Sequence, residues 1–174
     1  MVDSEQKRHS AFAAIGCVIL IIGIILAVFV GLMLPNAKFY YGEEDFERVF
    51  DNTAHWDYFV AAVYLGSFIT AATIIDGLVV TAKGLMHSGR KPLVTASIAL
   101  TAIISILTIA AIIVTSIHEN WCGRPRAGPT NLELQTACDL AGDNAVVVVV
   151  LECLATIAAL AGVATLHHFK DTEW

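Results

Sequence analysis

Residues 11–34, AFAAIGCVILIIGIILAVFVGLML, run for 24 positions without a charge, a side-chain amide or a proline. As a helix rising about 1.5 Å per residue the stretch is about 36 Å long, enough to cross a hydrocarbon core of about 30 Å with some tilt. Three further stretches read the same way. They are 58–80, YFVAAVYLGSFITAATIIDGLVV, with room to run on to Leu85; 93–117, LVTASIALTAIISILTIAAIIVTSI, opened by Pro92; and 145–166, AVVVVVLECLATIAALAGVATL. The pattern predicts a single all-α domain over residues 1–174, an integral membrane antiparallel four-helix bundle with two short outer loops.

Composition agrees. The 174 residues are 57% hydrophobic and only 15% charged, against about 25% charged in a soluble domain. One aqueous core does not hide that much apolar surface. The net charge of −6, with no Lys/Arg run longer than two, argues against a nucleic-acid partner.

The polar segments set the topology. Residues 1–10 end in Lys7, Arg8, His9 and Ser10, and Pro35-Asn36-Ala37 follows the first apolar run. That arrangement has the outline of a signal peptide, but a signal's apolar region is about 7–15 residues. We read the run as a retained first span, ended by Pro35. Residues 35–57 carry Glu43, Glu44, Asp45, Glu47 and Asp51. Phe46, Val49 and Phe50 lie at i, i+3 and i+4, which predicts a short amphipathic helix over 43–51. Its acids serve either as a solvated face or as a rim for a cation or a partner. The 81–92 link holds Lys83, His87, Arg90 and Lys91 and is short, so the second and third spans form a hairpin. In the 118–144 loop, Thr130 and Glu133 make a capping box for a helix over 131–141, and Gly142 is placed to stop it.

Six Lys/Arg (7, 8, 83, 90, 91 and 170) lie on the side of the termini and four (38, 48, 124 and 126) on the other. The positive-inside rule then puts both termini in the cytoplasm. Phe39, Tyr40, Tyr41, Trp56, Tyr58 and Trp121 form an aromatic belt at the outer boundary.

Few residues offer chemistry. Cys122 and Cys138 share the second outer loop. If that loop is extracellular, a Cys122–Cys138 disulfide closes it, worth about 3 kcal/mol in the chain-entropy model. Cys17 and Cys153 lie in spans and read as small core residues. Two acids stand inside spans, Asp76 near the inner boundary and Glu152 about 10 Å into the fourth span. Charge at that depth is costly, so each is a functional candidate. Asp76 reads alternatively as an interfacial acid with Lys83 at i+7. Glu152 is expected to face protein and to bond across helices to Thr70, Ser67, Thr108, Thr115 or Ser116, or else to serve as an ion or proton site. Thr101, Ser105, Thr108 and Thr115 line one side of the third span, as a water path or as interhelical glue. Gly23, Ala27 and Gly31, Ala62 and Gly66, and Ala158 and Gly162 recur at four-residue spacing and are expected to let helices pack closely.

Several activities lack their residues. All six histidines lie at or beyond span ends, where they offer haem no axial ligand at membrane depth. No His/Cys/Glu set has zinc-ligand spacing, and no glycine-rich phosphate loop occurs. The reading is therefore non-enzymatic, with no cofactor.

Four spans, cytoplasmic termini, a short central link and two compact outer loops resemble tetraspan membrane proteins. The second outer loop with its Cys122 and Cys138 pair looks like the MARVEL group of occludin-like junction and vesicle proteins. The resemblance is topological and covers the whole chain. The first outer loop has no cysteine, unlike that of claudins, and the Cys-Cys-Gly of tetraspanins is missing. The resemblance implies a plasma-membrane protein of structural function: a scaffold of a cell junction or membrane domain, or an auxiliary subunit of a larger complex. Its partners are the lipid bilayer and other membrane proteins, met through the spans, with a homo-oligomer as one form of that association. The alternatives are a small ion or proton channel or transporter using Glu152, and an integral-membrane enzyme.

Overall fold

A computed structural model of the chain describes residues 2–42, 54–85, 91–122 and 131–168, with side chains over 9–34, 57–85, 92–120 and 144–166. These segments are four helices: α1 (Val2–Gly42), α2 (Ala54–Leu85), α3 (Lys91–Cys122) and α4 (Asn131–His168). Each contains an apolar stretch long enough to cross a membrane: His9–Leu34, Asp57–Leu85, Pro92–Asn120 and Asn144–Leu166. Long helices are what lipid demands, because no water is there to take an unmade backbone hydrogen bond.

Contacts fix the directions. Thr81 and Ile74 of α2 lie against Gly16 and Gly23 of α1, so those two helices are antiparallel. Asp76 with Ser97, and Phe59 with His118, make α2 and α3 antiparallel. In cyclic order each helix packs on the next, α4 returns to α1, and α2 also meets α4 across the middle, whereas α1 and α3 scarcely touch. One apolar cluster runs across all four helices, from Leu26, Val30 and Met33 of α1 through Val63 and Ile69 of α2 to Ile104 of α3 and Val148 of α4. Among the described residues α1 contributes no buried polar side chain; the buried polar groups lie on α2, α3 and α4.

The tightest approach joins α1 to α2. Gly16 faces Thr81, Leu20 faces Gly77, Gly23 faces Ile74 and Ala13 faces Gly84. Two glycines on each helix, seven apart, bring the backbones together. A methyl at Gly84 would lie 2.6 Å from the Ala13 backbone nitrogen, and one at Gly77 2.9 Å from that of Leu20. In lipid, burial of apolar surface drives no association, and close van der Waals contact takes its place. The four-residue spacing thus found Gly23 and missed Gly16, Gly77 and Gly84, which repeat with a period of seven. Gly31 takes no part in the packing of this bundle: it is exposed, with nothing within 4 Å of where its Cβ would stand. Gly162 makes ordinary contact with α1, its Cβ position being 3.4 Å from Ile19.

Two expected helix ends are absent. α1 runs through Pro35 to Gly42. A proline in a helix loses the bond to the carbonyl four residues back and crowds that carbonyl with its ring, at about 3 kcal/mol; here that residue is the exposed Gly31, and the turns on either side carry the helix across. α4 likewise does not stop at Gly142 but is continuous from Asn131. Glycine inside a helix costs about 1 kcal/mol relative to alanine, too little to end a helix already propagated on both sides. The start at Asn131 directly after Thr130 is where the capping box placed it. The expected helix over 43–51 lies outside the described residues.

Candidate functional site

The buried polar side chains lie mainly on the hydroxyl-bearing faces of α2 and α3. Thr70, Thr73, Asp76 and Lys83 on α2, Ser97, Thr101, Thr108, Thr115 and His118 on α3, and Glu152 on α4 are all buried. The Thr101/Thr108/Thr115 line read from the sequence points inward as expected, with Ser105 half-buried beside it. Ser97 and His118 extend the same face at either end. Spacing alone would have included both, since 97, 101, 108, 115 and 118 step by four, seven, seven and three.

Asp76 is fully buried within the bundle. α2 continues to Leu85, so about 13 Å of helix separates Asp76 from that end. Ser97 Oγ donates a hydrogen bond of 2.6 Å to Oδ1, while Oδ2 finds no hydrogen-bond partner. Lys83, two turns further along the same helix, is buried as well.

Glu152 is also fully buried. Its Oε1 is 3.2 Å from where a Cβ on Gly66 would stand; Val30 of α1 and Val148 one turn back flank the same spot at 3.1 and 3.6 Å. Gly66 therefore does more than let two helices approach: its missing side chain is the slot that receives the carboxyl group. Neither oxygen of Glu152 has a hydrogen-bond partner. Of the five hydroxyls expected to supply one, three are committed elsewhere. Thr70 donates to the Gly66 carbonyl at 2.7 Å, Ser67 to Val63 at 2.9 Å, and Thr108 is paired with Thr156 at 3.0 Å. Ser116 faces outward. A helical Ser or Thr reaches the carbonyl one turn back without disturbing the backbone, so that bond competes well with a distant carboxyl group.

The acids stand apart, and among the described residues no three of His, Cys, Asp and Glu come together as a metal site. Cys17 is exposed on the outside of the bundle and Cys153 is half-buried beside Glu152; both are free thiols. Cys122 and Cys138 lie in α3 and α4, but their side chains lie outside those described. Comparison of the chain with family models, curated proteins and solved structures finds no match.

Proposed function

We propose that this chain is a non-enzymatic four-pass membrane protein acting as a scaffold of a junction or membrane domain, or as an auxiliary subunit gripping a larger complex. The observation that supports this reading is the continuity of α4 across Gly142. The uncharged apolar run of α4 begins at Ala145, after Asp143 and Asn144, while the helix starts at Asn131, so residues 131–143 extend it about 20 Å beyond that run. α1 continues past Leu34 to Gly42 on the same side, by about 12 Å. Two helical extensions rigidly continuous with their spans offer a partner a fixed surface, which a tethered coil does not. Within the bilayer the outer faces are apolar, with Phe68 and Ile106 about two-thirds exposed (65% and 67%) to lipid or to a partner's spans. The MARVEL-like topology points the same way. Purification from native membranes in mild detergent should bring down a membrane protein in fixed ratio. Replacing residues 131–141 by a Gly/Ser stretch of equal length should lose it. A chain that purifies alone, or keeps its partner after the replacement, overturns the reading.

The proposal includes a plasma-membrane location with cytoplasmic termini and a Cys122–Cys138 bridge outside. With Thr108 level with Thr156, the antiparallel register carried outward puts position 142 level with Cys122 and Cys138 one turn beyond. In intact cells an impermeant thiol reagent should reach Asp45→Cys and not Ser88→Cys, and should leave Cys122 and Cys138 unlabelled until a reductant is added. Labelling at 88 alone inverts the orientation, and labelling of the native pair without reductant removes the bridge.

A further inference from the structure

A scaffold needs no acid in its interior, and among the described residues this bundle fully buries two. Burying a polar group without a partner costs on the order of 1–3 kcal/mol; three carboxyl oxygens here, Oδ2 of Asp76 and both of Glu152, have none. Between the two acids the interior is not apolar. One turn on from Glu152, Thr156 Oγ1 lies 3.0 Å from Thr108 Oγ1. Ser105 comes next along α3, then Thr101, whose buried hydroxyl is unpartnered, then Ser97 on Asp76. Each of these stands about one turn, about 5–6 Å, from the next.

We propose that this row is a proton path through the bundle, in which Glu152 and Asp76 are the groups that take up and release the proton. The surroundings of Glu152 select the ion. A hard metal cation needs about six oxygen ligands; the slot at Gly66 offers the carboxyl group and the methyl groups of Val30 and Val148. A proton needs one oxygen. It adds to a carboxylate oxygen of Glu152 and passes to a hydroxyl oxygen of the Thr156–Thr108 pair. Each later hydroxyl accepts one proton and gives up its own, until Asp76 accepts the last. Nothing but the proton changes place. Threonine in a helix has two accessible χ1 wells, so a hydroxyl bonded to its own helix in one well turns toward the row in the other, and single waters bridge the remaining gaps.

The titratable groups facing this row are few. Among its described residues α1 presents His9 at the Lys83 end, its Nδ1 3.1 Å from the Gly84 carbonyl oxygen, and Cys17 is exposed. α2 presents Lys83 beyond Asp76, α3 presents His118 and Glu119 at the opposite end, and α4 itself presents Cys153. Proton transfer is independent of the scaffold reading, and each can be overturned while the other stands.

The test is the full chain reconstituted in liposomes holding a pH-sensitive dye, under a potassium diffusion potential. Proton entry should clearly exceed that of empty liposomes and should not change when sodium is replaced by a large organic cation. Glu152→Gln and Asp76→Asn should each lower it by about tenfold or more, because the exchangeable carboxyl proton is lost while shape is kept. Glu152→Asp should retain part of it, and helicity and elution of each variant should match the parent. Should Glu152→Gln fail to fold, Thr101→Val removes a hydroxyl from the row without touching a charge and should lower the rate several-fold. Parent flux at the empty-liposome level overturns the proposal. So does a folded acid variant, or Thr101→Val, with the parent's rate, or a rate that follows sodium.

Discussion

Gly84→Val should destabilise the bundle by about 3 kcal/mol, at the upper end of what overpacking costs. Most overpacked sites relax by turning a flexible side chain. Here the obstacle is main chain: the first added carbon meets the Ala13 nitrogen at 2.6 Å and the His9 carbonyl oxygen at 3.1 Å. The His9 ring is drawn in too, since its Nδ1 lies 3.1 Å from the Gly84 carbonyl oxygen. Relief requires α1 and α2 to part over several turns, which opens the Gly77 and Gly16 contacts as well. Unfolding in detergent followed by circular dichroism measures the loss. Gly31→Ala is the control and should be neutral or slightly stabilising, since alanine is the better helix former and the site is open. A Gly84→Val bundle as stable as the parent would mean that the seam is not this close.

Glu152→Met should stabilise the same bundle, by about 1 kcal/mol or more. The sign is the informative part. An interhelical hydrogen bond from Glu152, as its sequence position leads one to expect, would make the substitution costly by about 1 kcal/mol. With both oxygens unpartnered, removing them instead relieves a desolvation cost. Methionine fills a similar volume with an apolar, flexible chain suited to the slot at Gly66. The same unfolding experiment reads the result. A lower midpoint for Glu152→Met would show that the carboxyl group is a structural bond after all, and would weaken the case for a role in proton transfer.

The spans were legible because hydropathy over some twenty residues integrates many weak preferences into one strong signal. Even the valine run at 146–150, strand-like by propensity, is helical because lipid leaves no alternative. The limits of the helices were less legible. Pro35 and Gly142 are read as punctuation by local rules, yet their costs, about 3 and about 1 kcal/mol, are local ones that a long helix absorbs. Which small residues pack was half legible. Spacing marks a face but not the partner opposite, so Gly31 and Gly23 look alike in sequence although one meets α2 and the other meets nothing. For the acids, depth told that Glu152 would face protein. It did not tell that the nearby hydroxyls would bond to their own helices or to one another, because that choice depends on rotamers set by packing.

The placing of polar partners along the chain has a consequence for how the protein is made. Asp76 leaves the ribosome before its donor: Ser97 follows 21 residues later, about 1–4 s of synthesis. During that interval the acid sits in an α2 that has only α1 to lean on, and α1 offers it glycine and hydrocarbon. Pairing along the glycine seam can begin at once, since both of its strands of contact are already out. Glu152 arrives last of all, after Gly66 has waited through the whole of α3. The least soluble group in the molecule therefore enters the membrane only when the slot that houses it exists. A chain truncated before α4 should leave the insertion machinery as an incomplete three-helix product with Gly66 bare, the form on which quality control would act.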